Sequence, residues 1–101
     1  MAVITEIFIL KMKDPTQADT VRERAREDFL SIEGVHSWTT YVTTDTSRPT
    51  LFAEVYTFPD YDTAKKVTPQ FALREPTKAF LEEIDEVLVG QYFTEHKSKR
   101  V

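Results

Sequence analysis

At 101 residues the chain is the size of one domain, 1–101, and 41% hydrophobic with 30% charged residues is a globular composition, not a disordered one. A net charge of -4 argues against nucleic acid as a partner, because a phosphate backbone is repelled at long range. The absence of cysteine removes disulfides, thiolate metal sites and cysteine nucleophiles, so any chemistry must come from oxygen and nitrogen groups. No apolar run approaches the ~20 residues of a membrane-spanning helix. The N-terminal Met1-Ala2-Val3-Ile4 has no basic flank and is interrupted by Glu6, so it does not read as a secretory signal and a cytoplasmic, membrane-free protein is expected.

The first element, Val3 to Lys11, is rich in β-branched and aromatic residues and reads as strand β1. Lys13-Asp14-Pro15-Thr16 follows as a helix-start signal, with Asp14 or Thr16 as N-cap. From Pro15 to Ile32 the apolar residues Val21, Ala25, Phe29 and Ile32 recur at helical spacing, which predicts amphipathic α1 with Arg22, Glu23, Arg26 and Glu27 outward and Gly34 as its stop. His36 to Thr44 and Thr50 to Phe58 have strand character and flank the loop Asp45-Thr46-Ser47-Arg48-Pro49, giving β2 and β3 as a hairpin. Beyond the turn Pro59-Asp60-Tyr61-Asp62, the residues Val67, Phe71, Leu73, Phe80, Leu81, Ile84 and Leu88 predict a second helix. Pro69 and Pro76 must kink or divide it. Val89 to Glu95 reads as β4, and His96-Lys97-Ser98-Lys99-Arg100 as a solvated, mobile tail.

The order βαββαβ predicts an α+β, ferredoxin-like fold, with four antiparallel strands in one sheet and two helices on one face. A sheet open on its other face should alternate apolar with polar residues. Instead, β1 carries Ile4, Phe8 and Leu10 on one parity and Val3, Ile7 and Ile9 on the other, and β3 is apolar on both parities as well. Two helices cover only one such face. A second copy packed on the other would bury the remainder, so a homodimer is expected.

Glu54 and Tyr56 lie two apart in β3 and share a face with Phe52 and Phe58. Glu54 reads either as a glutamate paired with a basic residue or as a catalytic acid or base whose pKa is raised by apolar surroundings. Trp38 reads as core or ligand contact, and His36 as a surface group or proton shuttle. Arg74, between the two prolines, reads as half of an ion pair or as a guanidinium that holds a substrate oxyanion. Two histidines sixty residues apart make no metal-ligand spacing, so no metal is expected.

The chain resembles the antibiotic biosynthesis monooxygenase family of the dimeric α/β-barrel superfamily over essentially its whole length. The matching features are Gly34 at the end of α1, Tyr41 in β2, Glu54-Val55-Tyr56 as a Glu-x-Trp-like step, Ala64 early in the second helix, and Glu75-Pro76-Thr77-Lys78-Ala79-Phe80. Tyrosine stands where the family has tryptophan, the family's helical histidine has no counterpart, and β1 lacks asparagine, so haem degradation is not implied. The resemblance implies a cavity between helices and sheet and cofactor-free oxygenation of phenolic or quinone-like compounds, or isomerisation. In that reading Glu54 or His36 takes a proton, Arg74 or Tyr56 stabilises the oxyanion, and Trp38, Phe52, Phe58 and Phe71 hold a small aromatic molecule. A non-catalytic binding or stress-response protein would use the same pocket. An RNA-binding module is disfavoured, because Thr50 to Phe58 contains no Lys, Arg or Gly.

Overall fold

The computed structural model describes residues 3–99. Met1 and Ala2 of the N-terminal reading and Arg100 of the charged tail lie outside the described residues. The elements are β1 (Ile4–Met12), α1 (Pro15–Leu30), β2 (Ser37–Val42), β3 (Phe52–Phe58), α2 (Tyr61–Ala72), α3 (Glu75–Leu81) and β4 (Ile84–Phe93). The strands form one antiparallel sheet in the order β2-β3-β1-β4, the ferredoxin-like α+β arrangement expected from the sequence. No helix among the described residues is long and apolar enough to cross a membrane.

Asp14 caps α1. Its side chain accepts the N–H groups of Thr16 at 3.0 Å and Gln17 at 3.4 Å, and Pro15 occupies the first helical position, where a missing N–H costs nothing. The buried stripe of α1 is Ala18, Arg22, Ala25 and Phe29. Arg22 therefore points inward, contrary to the polar face predicted for it. The helix ends at Leu30, four residues before Gly34. Gly34 instead serves the turn that follows. Its φ of +93° is one that side chains rarely adopt, and a Cβ there would meet Thr63 Cγ2 at 2.9 Å.

Strand β3 shows the facing of the sheet most clearly. Phe52, Glu54, Tyr56 and Phe58 are all buried beneath the helices, while Ala53, Val55 and Thr57 between them are half-buried on the other side. Register carries the same parity into Ile4, Glu6, Phe8 and Leu10 of β1 and into Trp38 and Thr40 of β2. Phe29 of α1 lies at the centre of the core. Its ring centroid is 4.8 Å from Phe71, 5.1 Å from Tyr56, 6.0 Å from Trp38 and 6.1 Å from Phe58, in edge-to-face geometry.

The second helix is divided, but not where Pro69 stands. Pro69 lies inside α2, and the break comes at Leu73 and Arg74, where the backbone turns extended (φ -80°, ψ 143° at Arg74). Pro76 falls in the first turn of α3, a position that needs no donor. Ile84 and Leu88, predicted as helical, belong to β4, which pairs with β1 from Met12↔Ile84 to Thr5↔Phe93. Ile84 and Leu88 stand four apart and so continue the helical spacing, which explains the misreading. Two register irregularities in that ladder shift the side-chain parity, so that Ile84 and Val87, three apart, line one cavity.

Candidate functional site

The two carboxylates on the helix-covered face of the sheet have very different surroundings. Glu54 is fully buried and meets only donors. Its Oε1 accepts Thr40 Oγ1 at 2.7 Å, Trp38 Nε1 at 2.9 Å and Arg22 Nε at 3.1 Å, and its Oε2 accepts Arg22 Nε at 3.0 Å. Arg22 Nη2 lies 2.8 Å from Oε2, close enough for an ion pair though misaligned for a hydrogen bond. The Arg22 guanidinium also sits 5.0 Å from the Phe52 ring centroid and 5.4 Å from that of Phe80, and its Nη1 reaches exposed Asp19 at 2.6 Å. The pairing of Glu54 with a basic residue, one of the two readings drawn from the sequence, is thus present. The basic residue is one that periodicity had placed outward.

Glu6 is the other carboxylate. It is 7% exposed and has one hydrogen-bond donor, the Thr68 hydroxyl, at a long 3.2 Å. Burial pushes its carboxyl up to about 7, against a smaller lowering by Thr68. It lies at the wall of a cavity of about 120 Å³ between sheet and helices, lined otherwise by apolar side chains including Phe8, Leu10, Phe71, Phe80 and Ile84. Tyr56 pairs with Glu6 across the β1–β3 ladder and lines the same cavity. Its phenol is pushed well above the ordinary value, first by burial and then by the Glu54 and Glu6 charges, so at neutral pH it is a hydrogen-bond donor. The remaining polar members of the wall are Thr68 and Thr77. Gly90 of β4 leaves space for the Phe8 ring of that wall, since a Cβ at Gly90 would meet the ring at 2.9 Å and force it to shift.

Of the residues singled out from the sequence, Tyr56 and Phe71 line this cavity. Trp38, Phe52, Phe58 and Glu54 are buried in the adjoining core. Trp38 stacks at 4.8 Å on Tyr56, and Phe58 packs on Phe29. His36 is exposed just before β2, where its backbone N–H donates to Thr57 O. Arg74 is exposed and grips Asp28 through Nε and Nη2, at 2.5 and 2.8 Å, which lowers the Asp28 carboxyl below its ordinary value. The geometry thus brings neither His36 nor Arg74 to the cavity. Sequence reasoning missed Glu6, Thr68 and Arg22. The available signal was Glu6 itself, an acid on the same parity as Ile4, Phe8 and Leu10. A broader, open depression of about 630 Å³ lies beside the β2–β3 loop, lined by Lys11, Val42, Arg48 and Leu51 among others. It holds no buried titratable group.

No family model matches the sequence, and no curated protein matches it. Solved structures match it over nearly its whole length. A Bordetella bronchiseptica protein provisionally assigned to the antibiotic biosynthesis monooxygenases superposes with a TM-score of 0.69 at 18% identity, covering 98% of this chain and 100% of that one. SnoaB, a cofactor-independent oxygenase from Streptomyces nogalater, gives 0.65 at 10% identity, with 100% and 98% covered. A dimeric protein of unknown function and ferredoxin-like fold from Bacteroides fragilis gives 0.61 at 12%, with 92% and 96% covered. At these identities the likeness is one of fold, and it is the fold that the sequence resemblance implied.

The Glu54 cluster is open to a stability test. Arg22→Met strands a buried carboxylate and should cost about 3–5 kcal/mol in urea unfolding. Adding Glu54→Gln to that variant removes the stranded charge while keeping an acceptor for Trp38 and Thr40, so it should recover part of the loss. A cost below about 1 kcal/mol for Arg22→Met would show that the pair does not hold the fold together.

Proposed function

We propose that this chain is a small-molecule enzyme, a cofactor-independent monooxygenase of quinol-like aromatic compounds, with Glu6 as its proton acceptor. The observation that carries this reading is a buried carboxyl held near neutrality in the wall of an apolar cavity, next to a phenol that stays protonated. A general base works best when its pKa lies near the working pH, and Glu6 meets that condition while Glu54, filled by donors, does not offer a free lone pair to a substrate. The likeness of fold to SnoaB is consistent with oxygenation.

The chemistry follows from these positions. Glu6 takes the proton of a substrate hydroxyl, and the charge left on the ring spreads to a ring carbon. The electron-rich anion reduces dioxygen. One oxygen atom stays on that carbon and the other leaves as water, so a quinol and dioxygen give a hydroxyquinone and water. The Tyr56 hydroxyl donates to the substrate oxygen as negative charge develops on it, and the apolar wall keeps bulk water away from the anion.

With a hydroquinone as substrate and oxygen uptake as the readout, in the absence of flavin or metal, the rate should rise with pH through about 7 and level off once Glu6 has lost its proton. Glu6→Gln should lower it by ~10²–10⁴-fold and abolish that inflection. Unchanged turnover in Glu6→Gln would overturn the assignment, and binding without turnover would favour a non-catalytic binding protein.

The working unit is a homodimer built on the uncovered sheet face. Ile7, Ile9, Ala53 and Val55 lie side by side there at the centre of the sheet, with Phe93 of β4 and Tyr41 of β2 exposed toward its two edges. Light scattering at micromolar concentration should give twice the chain mass of 11.7 kDa. A single-chain mass would contradict it.

A further inference from the structure

Glu6 sits where bulk water has little access. The residue is 7% exposed, and the cavity beside it is walled by apolar side chains apart from Tyr56, Thr68 and Thr77. A carboxyl that takes up and gives back a proton must still be connected to solvent. The connection in this fold runs along the sheet, toward β4. In the antiparallel register Glu6 stands opposite Tyr92 on one side and Tyr56 on the other, and the Tyr92 ring packs against the core. Helix α2 crosses above this row. Tyr61 and Thr68 are seven residues apart on it and share a face. The Tyr61 ring meets that of Tyr92 edge-on at 5.6 Å, and the Thr68 hydroxyl donates to Glu6 Oε1 at 3.2 Å. The same hydroxyl is within hydrogen-bonding reach of the Tyr92 phenol. A hydroxyl gives one proton and accepts on its lone pairs, so while Thr68 donates to Glu6 the Tyr92 O–H donates to Thr68.

Tyr92 is half-buried and Tyr61 beside it is 49% exposed, so the row ends at the surface. Burial, with the nearby Glu6 and Tyr61, raises the Tyr92 phenol above its ordinary value, and it keeps its proton at neutral pH. The titratable groups that face Glu6 and Tyr92 are Tyr56 from β3 and Tyr61 from α2; α3 contributes only the neutral Thr77, and no basic residue acts on either group among the described residues.

We propose that Glu6 exchanges its proton with solvent through Thr68 and Tyr92, a relay of two hydroxyls that opens at the surface beside Tyr61, and not through the cavity. On protonation, a proton from water arrives at the Tyr92 oxygen as the phenol proton passes to Thr68 Oγ1 and the Thr68 proton passes to Glu6 Oε1. Each hydroxyl takes one proton and gives one, so neither ends charged and only the carboxylate is neutralised. Loss of the proton runs the same steps in reverse. Thr68 and Tyr92 are positioning residues that act through Glu6, and a path separate from the cavity lets the carboxyl be reset while a ligand fills it. This rests on reading Glu6 as the proton acceptor, but it concerns the route of the proton and is measured without any substrate.

Carbon-13 relaxation dispersion on the Glu6 carboxyl, recorded on the intact protein at its titration midpoint in dilute buffer, reads the exchange rate separately from the midpoint. Tyr92→Phe should slow exchange by roughly 10²-fold, the low end of what a positioned proton-transfer group contributes, and leave the midpoint near 7. Thr68→Val should slow exchange too and raise the midpoint, since the lost donor favoured the carboxylate, while Thr68→Ser should behave as wild type in both. Tyr61→Phe keeps the ring against Tyr92 and should change neither. An unchanged rate in Tyr92→Phe would mean that water reaches Glu6 directly and would overturn the relay, as would slowed exchange in Thr68→Ser. Should Thr68→Val not fold, Tyr92→Phe and Thr68→Ser decide the matter. Slowed exchange in Tyr92→Phe together with full turnover in Glu6→Gln would sink the catalytic reading alone. Glu6-dependent turnover with exchange unaffected by Tyr92→Phe would sink the relay alone.

Discussion

The ion pair between Arg22 and Glu54 fixes the relation between α1 and the sheet. A fully buried carboxylate in the middle of a strand is among the most expensive groups a domain of this size can carry, and it is tolerable here because a guanidinium, an indole and a hydroxyl all converge on it. Those donors come from α1 and β2, while Glu54 itself belongs to β3, so one site ties three elements together. With α1 held at Arg22, Phe29 two turns along is set against Tyr56, Trp38, Phe58 and Phe71, and the aromatic core forms around it. Tyr56, two residues beyond Glu54, is thereby stacked on Trp38 and directed to the cavity.

The same sheet face thus holds two carboxylates whose environments differ sharply. Glu54 is saturated by donors and held by a full positive charge, whereas Glu6 has a single long bond from Thr68 and no basic partner among the described residues. Environments that differ in this way separate structural from chemical roles in groups of identical type. Phe8 lies between them on β1, opposite Glu54 in the ladder, and its ring is accommodated because Gly90 has no side chain. The cavity is in that sense a product of the sheet, closed over by α2 and α3.

Much of this was legible in the sequence because the signals are local or periodic. The Asp14-Pro15 start of α1, the strand character of β1 to β3, the alternation that groups Phe52, Glu54, Tyr56 and Phe58, and the apolar character of both sheet faces all follow from neighbouring residues. What escaped depends on contacts distant in sequence. Arg22 reads as solvated until Glu54, thirty-two residues away, supplies its counter-charge. Glu6 looks like a break in an apolar run until α2 brings Thr68 over it. The start of β4 was hidden because Ile84 and Leu88 stand four apart and so continue the helical spacing, while their strand pairing with β1 is set by residues far away in sequence. Arg74 and His36 were each open to two readings, and the structure holds the ion pair and the surface group; that the partner of Arg74 is Asp28, forty-six residues away, was not legible locally.

Everything proposed for the cavity requires that Glu6 exchange its proton near neutrality. The most direct measurement is a pH titration of the side-chain carboxyl carbons by NMR in protein labelled at glutamate, with Glu6→Gln used to identify the Glu6 resonance. A midpoint near 7 is expected. A midpoint near the ordinary 4.5 would mean that water or an unrecognised donor solvates the carboxylate, and would remove Glu6 as the proton acceptor.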